Sequence, residues 1–347
     1  MKVVVATSIS PFIDGGATQI ASWLTQALRE AGHEVDFFQL PFSPLYSEVL
    51  DQTLAFRLID LSDRGERLIA IRTPSHLLRH PFKILWFIHH HRTAYDLWGT
   101  RYQDFPNTPE GICYRDAIRR ADAAAFGEAR RIFCNSGVMA ARIKKFNGVD
   151  AEVLYPPLLR PEVFRQDNCG DYILYVSRLT HHKRQWLAIQ GMLHTKTQVR
   201  LIIAGQPDPD SRVYLRELET LAQSKELGGR VSIIPRWIPE QEKIDLLANC
   251  LASIYIPLDE DSYGYPSLEA HHAGKAVITA TDSGGTLELI RDRENGFVVP
   301  PDPEAIGRAM DELYRDRNLA RTMGERGRRR IGELGISNEK MLQKLLS

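Results

Sequence analysis

The feature that most constrains the fold of this chain is a regular alternation of short apolar runs and amphipathic segments. The apolar runs are rich in β-branched residues, as buried strands are, and most of them are followed by a segment with helical spacing. The predicted strands are 3–6, 35–40, 68–71, 84–88, 132–135, 172–176, 199–204, 231–234, 251–257, 276–280 and 297–300. Such an alternation predicts an α/β fold whose parallel sheets carry helices on both faces, a doubly wound arrangement.

The alternation occurs twice, and a proline- and glycine-containing stretch at 155–171 separates the two occurrences. A length of 347 residues fits two domains of ordinary size. We therefore predict an N-terminal domain over 1–160, a C-terminal domain over 161–325, and a helical segment over 326–347 that crosses back to the first domain. In such proteins ligands bind at the carboxyl ends of the strands and between the domains.

The segment 251–285 carries the densest set of candidate binding residues. After the predicted strand comes an acidic loop, and then a short helix that opens with Pro266 and ends at Gly274. Another helix start follows Ser283-Gly284-Gly285, so two helix N-termini, which attract anions, are expected side by side. Asp261 and Glu269 are separated by seven residues, and both carboxylates can face one ligand. Carboxylates repel phosphate, so this pattern indicates a diphosphate flanked by hydroxyl-bearing groups.

Three other strand ends carry residues that suit the same ligand. Arg178 and Lys183 follow the strand 172–176 and can neutralise a diphosphate. Gly15 and Gly16, between the first strand and the first helix, allow a close approach of backbone to phosphate. The histidine run 89–91 ends the strand 84–88; neighbouring side chains on a strand point to opposite faces, so one of the three, with His89 the first choice, is expected to reach a ligand.

Composition narrows the class of function. Lys plus Arg and Asp plus Glu both number 44, which argues against a nucleic-acid partner. The four cysteines show neither disulfide nor metal spacing and fit free thiols in a reducing compartment, so we expect a cytoplasmic location. No apolar run is long enough to span a bilayer. Basic helix faces leave peripheral contact with the inner membrane face open.

Taken in this order, the motifs resemble glycosyltransferase family 4, the retaining group 1 glycosyltransferases. The resemblance rests on the block from Asp261 to Glu269 with GYPSLEAHHAGKAVITATDSGG, and on SRLTHHK, IDGGA and FIHHH. It implies the GT-B fold, in which two Rossmann-like domains face each other across a cleft. It also implies transfer of a sugar from a UDP- or GDP-sugar to a hydroxyl of a glycan, lipid-linked or small-molecule acceptor, in glycan, polysaccharide or glycolipid synthesis. We expect the nucleotide sugar to act as a substrate, with no cofactor and no metal ion.

The resemblance assigns a role to each matching residue. Arg178 and Lys183 would hold the diphosphate, Glu269 the ribose hydroxyls, and Asp261 the transferred sugar near His89. The remaining donor-binding residues would be Gly15, Gly16, Ser177, Gly205, Tyr263, Gly264 and Tyr265. The family usually has Glu at the position of Asp261, which leaves Asp261 and the neighbouring Glu260 as alternatives for the sugar contact.

Two other functions fit part of the pattern. A nucleotide-sugar epimerase of the same fold would bind the same donor but would need acid and base groups at the sugar. A noncatalytic nucleotide-sugar-binding protein would need only the donor residues. The lack of the GxGxxG fingerprint in both first turns argues against a nicotinamide dehydrogenase. The string Asp259-Glu260-Asp261 and the pair Asp208 and Asp210 match an Asp-x-Asp metal pattern, yet the cations and helix termini already supply positive potential, so turnover without metal is predicted.

Overall fold

The computed structural model describes residues 1–9, 16–43, 45–100, 102–208 and 211–347. The chain forms two compact units: unit 1 contains Met1–Leu159 and Ile336–Ser347, and unit 2 contains Arg160–Gly335. Each unit is built on a six-stranded sheet whose strand pairs are all parallel. The predicted α/β class with doubly wound parallel sheets is confirmed.

The sheet of unit 1 has the strand order β2-β1-β3-β4-β5-β6. Its strands are β1 Lys2–Ile9, β2 Glu34–Pro41, β3 Arg67–Ala70, β4 Lys83–Phe87, β5 Arg131–Cys134 and β6 Glu152–Val153. Its first four helices are α1 Gly16–Glu30, α2 Val49–Leu58, α3 Pro109–Gly127 and α4 Gly137–Asn147. The sequence pattern missed β6, because two residues at a sheet edge leave no apolar run to detect.

The sheet of unit 2 has the strand order β12-β11-β10-β7-β8-β9. Its strands are β7 Tyr172–Val176, β8 Arg200–Ala204, β9 Val231–Ile234, β10 Ala252–Ile254, β11 Val277–Ala280 and β12 Gly296–Val299. Its helices are α5 Gln185–Leu193, α6 Arg212–Ala222, α7 Glu240–Asn249, α8 Tyr265–His272, α9 Thr286–Leu289, α10 Pro303–Arg315 and α11 Arg317–Glu333. One apolar core joins this sheet to α5, α6, α10 and α11.

The last residues of the chain belong to unit 1. The predicted helix over 326–347 is in fact two helices, because α11 ends at Glu333 and α12 runs from Asn338 to Leu346. Ser337 caps α12 by accepting from the backbone N–H of Lys340 at 3.2 Å. Within unit 1, Arg67 donates to the carbonyl of Leu345 at 2.6 Å, which fastens the end of α12 beside β3.

The switch point of a sheet, where its strand connections reverse direction, has a different place in the strand order of each unit. Counted within its own unit, unit 2 has the order 3-2-1-4-5-6, and its strand connections reverse direction between β7 and β10. Unit 1 has the order 2-1-3-4-5-6 and reverses between β1 and β3. At such a point two loops leave neighbouring strands in opposite directions and open a crevice, so the loops after β7 and β10 are the first place to look for a ligand site in unit 2.

No helix in the described part of the chain is both long enough and apolar enough to cross a membrane. The four cysteines are free thiols, and two of them, Cys134 and Cys250, are buried.

Candidate active site

The loops after β7 and β10 are tied to each other by backbone and side-chain hydrogen bonds. The N–H of Leu258 donates to the carbonyl of His182 at 2.8 Å. Arg184 donates to the carbonyls of Ile256 at 2.7 Å and Pro257 at 2.8 Å. The two motifs that the sequence predicted to share a ligand, SRLTHHK and the acidic loop, therefore lie against each other at the switch point.

Arg184 holds this junction and was missed by the sequence interpretation. It is buried, its backbone is left-handed with φ 56°, and it ends the short 3-10 turn before α5. Its guanidinium also forms a two-point ion pair with Asp282, with both N–O distances at 2.7 Å. Its position directly after Lys183 was the available signal, since a third cation in a strand-end loop needs a partner if it is buried.

Lys183 lies inside the same junction and pairs with Glu260. Its ammonium contacts a carboxylate oxygen of Glu260 and the hydroxyl of Tyr255, the latter at 2.8 Å, and Tyr255 also donates to Glu260 at 3.0 Å. Burial pushes the pKa of Glu260 upward, but the charge of Lys183 and the two hydrogen bonds outweigh it, so the pKa is lowered. Glu260 is therefore an ionised partner of Lys183.

Arg178 occupies a more open position on the same loop. It is exposed and makes a two-point contact with Asp208, both oxygens at 3.1 Å. Beside it, the Ser177 hydroxyl accepts from Gln185 at 2.8 Å. Gly205, at the carboxyl end of β8, has φ 153°, and a Cβ there would collide with the Ser177 carbonyl oxygen. The glycine lets β8 end directly against the loop that carries Arg178.

Glu269 lies on α8 and has a protein partner that the sequence interpretation missed. Its side chain is buried, and one carboxylate oxygen is 2.5 Å from the ammonium of Lys243 on α7. Burial raises the pKa of Glu269, and the positive charge of Lys243 opposes that rise. A ligand hydroxyl at Glu269 would thus meet an already paired carboxylate, not an isolated one.

The acidic loop is shaped by the glycine pair after β11. Glu260 and Gly284 form a parallel bridge, and the N–H of Gly285 donates to the Glu260 carbonyl at 2.8 Å. A Cβ at Gly285 would lie 2.6 Å from the backbone carbonyl carbon of Ser262, so no larger residue fits without moving the loop. The sequence placed bare backbone beside the ligand here; the structure shows that it lies against the loop of Asp261.

The residues after the acidic loop lead into α8. Tyr263 is buried, Gly264 has φ 70°, and Tyr265 begins the helix with Pro266 in the first turn. The predicted helix end is also correct, since the helix stops at His272 and Gly274 is left-handed with φ 66°. The second predicted helix start is weaker than expected, because α9 is a single turn of four residues.

The remaining candidate residues belong to unit 1. His89 is half-buried after β4, and its Nδ1 lies 2.9 Å from the His90 carbonyl. Burial, with the charge of Arg72, lowers the pKa of His89 to about 3, so its ring is neutral at physiological pH. His90 and His91 are buried among aromatic rings. Gly16 is the first residue of α1, and Gly15 lies outside the described residues.

Within the described ranges, no group of three potential metal ligands comes together. Asp208, one half of a predicted Asp-x-Asp pair, is engaged with Arg178, and Asp210 lies outside the described residues.

Comparison with known proteins places this geometry in a family. Residues 161–330 match the family model for glycosyl transferases group 1. The chain is 30% identical over 284 residues to α-1,3/1,6-mannosyltransferase ALG2 of Homo sapiens, covering 74% of this chain and 65% of the relative. The chain is 29% identical over 245 residues to the Mus musculus protein of that name, covering 63% of this chain and 58% of the relative. The chain thus spans less than two thirds of the length of these relatives.

A solved structure with the same fold is that of HepE from Anabaena in complex with UDP. It has a TM-score of 0.75 at 16% identity and covers 100% of this chain and 98% of its own. At this identity the likeness establishes the fold, which is the GT-B fold predicted from the sequence.

Proposed function

The chain belongs to the glycosyl transferases group 1 family, and on that premise we propose that it is a retaining glycosyltransferase with a nucleoside-diphosphate-sugar donor. The observation that carries the proposal is the junction of the loops after β7 and β10. There Arg178, Lys183 and the start of α8 supply positive potential at the switch point of unit 2, where doubly wound sheets bind ligands.

The donor diphosphate would be the group that these cations hold. Arg178 is exposed and contacts both oxygens of Asp208 through one nitrogen, Nη1, so its guanidinium can exchange that carboxylate for phosphate oxygens. Lys183 is oriented by Glu260 and Tyr255, so its charge is fixed in place before the donor arrives. Positive charge fixed where the leaving group gains negative charge stabilises the transition state without reorganisation.

The carboxylates would divide the hydroxyl contacts. Glu260 is engaged by Lys183, which favours Asp261 as the contact to the transferred sugar. Glu269 would accept from the ribose hydroxyls while its ion pair with Lys243 opposes the rise in its pKa that burial causes. His89, neutral because of its low pKa, would lie near the sugar as a hydrogen-bonding group rather than a charge.

The reaction that fits these groups is a displacement on one face of the sugar. The bond between the anomeric carbon and the donor phosphate oxygen breaks, and a bond to the acceptor oxygen forms on the same face. The acceptor proton passes to the leaving diphosphate, whose charge the cations balance. This scheme requires no metal ion, because the cationic side chains supply the positive charge that stabilises the leaving diphosphate.

We further propose that the transferred sugar is a hexose, with mannose the first choice because the human relative is a mannosyltransferase. The acceptor would be a glycan, a lipid-linked saccharide or a small molecule. The proposed setting is the cytoplasm, with contact at most peripheral to the inner membrane face.

The test is a sequence of three measurements on the purified chain. A thermal-shift screen with GDP, UDP, GDP-mannose and UDP-glucose should show stabilisation by one nucleotide series, since a ligand of the native state raises its stability. Transfer from that donor should persist in excess EDTA. An NMR time course should show an axial donor giving an axial product.

Each alternative predicts a different result. An epimerase would convert the donor without any acceptor, and a binding protein would be stabilised by the donor but would transfer nothing. Loss of activity in EDTA that Mn²⁺ restores would overturn the metal-free scheme.

A further inference from the structure

We infer a second ligand site in unit 1, a pocket between the 92–98 segment and helices α3 and α4 that takes a phosphate-bearing ligand. The pocket has a volume of about 360 Å³ and is lined by Tyr95, Asp96, Trp98, Arg119, Arg142, Lys145 and Phe146. None of these residues belongs to the donor-binding motifs, so the site goes beyond the proposed function.

The charge of the lining favours an anion. Asp96 is already paired, with Arg92 at 2.6 Å and Arg142 at 3.7 Å. Arg119 and Lys145 have no carboxylate partner within the described ranges: Arg119 donates its Nε to the carbonyl of Ala94 at 2.7 Å, and Lys145 lies over the ring of Phe146. Among the described residues that line the pocket, three side chains are cationic and one, Asp96, is acidic, and Arg92 from outside the lining already pairs with that acid.

Burial strengthens this preference. The side chain of Arg142 is only 12% exposed. Burial, together with the charge of Arg115, lowers the pKa of Arg119, so a nearby anion would relieve a desolvated cation. Guanidinium groups match phosphate oxygens with two parallel hydrogen bonds, which makes phosphate the best-fitting anion.

The pocket also has rigid aromatic walls. Tyr95 donates to Asp122 at 2.7 Å, and Asp122 lies 2.8 Å from Nε2 of His76, all three being buried. The ring of Tyr95 packs against those of His90 and Phe146, at centroid distances of 4.2 Å and 5.3 Å. The site is therefore built before any ligand arrives, with cations for a phosphate and aromatic faces for the ring or carbon chain that bears it.

Two neighbouring lysines on α4 provide a matched test. Lys144 and Lys145 are both exposed, but Lys144 pairs with Asp150 and does not line the pocket. Titration calorimetry would use glucose 1-phosphate as the soluble probe, and sedimentation would use phosphatidylcholine vesicles with and without phosphatidic acid as the lipid probe. In the Arg178→Ala background a proposed donor contact is missing, so affinity that is unchanged there does not depend on that contact.

We expect Lys145→Gln to weaken binding about tenfold, and Arg119→Gln by at least as much, whereas Lys144→Gln leaves it unchanged. Binding of glucose 1-phosphate would identify a soluble phosphate ester as the ligand, and binding of the acidic vesicles alone would identify a lipid head group. The inference is overturned if neither probe binds, or if Lys144→Gln and Lys145→Gln have equal effects. Because Lys145 is exposed, its substitution keeps the test informative even if Arg119→Gln does not fold, and neither readout depends on sugar transfer.

Discussion

Each unit has its own six-stranded parallel sheet, but the buried cations of the two units lie at different ends of the strands. In unit 2 the buried cations Lys183 and Arg184 lie at the carboxyl ends of strands and tie two loops together. In unit 1 the fully buried Lys83 starts β4, at the opposite end of its strand, and donates to the carbonyls of His76 and Leu78 and to Glu128. A buried lysine is therefore no evidence of a binding site by itself; its position along the strand decides what it can reach.

The largest expected effects compare these two lysines. Lys183→Ala leaves the half-buried Glu260 carboxylate without its partner, and Lys83→Ala leaves backbone carbonyls unpaired in the core. Each should lower the free energy of unfolding by roughly 2–4 kcal/mol, measured by urea denaturation. Only Lys183→Ala should also reduce nucleoside-diphosphate affinity, measured by calorimetry. A matching loss in Lys83→Ala would show that affinity merely follows stability.

Arg178→Ala sharpens the comparison by separating binding from stability. The side chain is 42% exposed, so its ion pair with Asp208 contributes little to folding. Loss of a charge-assisted contact costs about 1.5–3 kcal/mol, so the affinity for a nucleoside diphosphate should fall roughly 10- to 150-fold. The control is Arg200→Ala, which breaks a similar exposed pair with Asp171, the residue just before β7. Equal affinities in both variants would rule out Arg178 as a phosphate ligand.

Asp261→Asn tests whether Asp261 is the carboxylate that contacts the transferred sugar. Because Asp261 is proposed to touch only the sugar, the substitution should weaken the complete donor about tenfold and leave the bare nucleoside diphosphate unchanged. Calorimetry with both ligands makes the comparison. An equal loss for the two would place Asp261 at the phosphates and return the sugar contact to Glu260.

The smallest expected effect is a difference in pH dependence between two buried carboxylates. Burial raises the pKa of Glu269, so its contribution to stability is present below about pH 4.5 and is lost as the pH rises through the raised value. Burial also acts on Asp122, but His76 and Tyr95 outweigh it and lower that pKa, so its contribution is present above about pH 3.8 and is lost on further acidification.

Urea unfolding of Glu269→Gln and Asp122→Asn against the parent should therefore give differences that change with pH in opposite directions. Each slope is at most about 1.4 kcal/mol per pH unit. Slopes of the same sign would contradict the assigned directions.

The sequence was most informative for the strands and for the binding motifs that directly follow them. The strands of both units other than β6 follow from apolar runs, and SRLTHHK and the acidic loop were expected at one crevice because each follows a strand. Contacts set by tertiary packing could not be deduced. The pairing of Glu269 with Lys243 joins α8 to α7, and that of Lys183 with Glu260 joins loops 77 positions apart. The unit 1 pocket could not be predicted from a sequence motif, because its cations are spread over α3 and α4.

The glycine pair at 284–285 has a consequence for how variants of this protein are interpreted. Neither residue has a side chain that could take part in chemistry, yet a methyl group at either position would meet the backbone of 259–262. In a saturation mutagenesis screen both positions should be as intolerant as the carboxylates they support. Sensitive positions in such a screen would include the glycines that shape the loop as well as the carboxylates that contact the ligand. Only measurements on purified variants would distinguish these two groups.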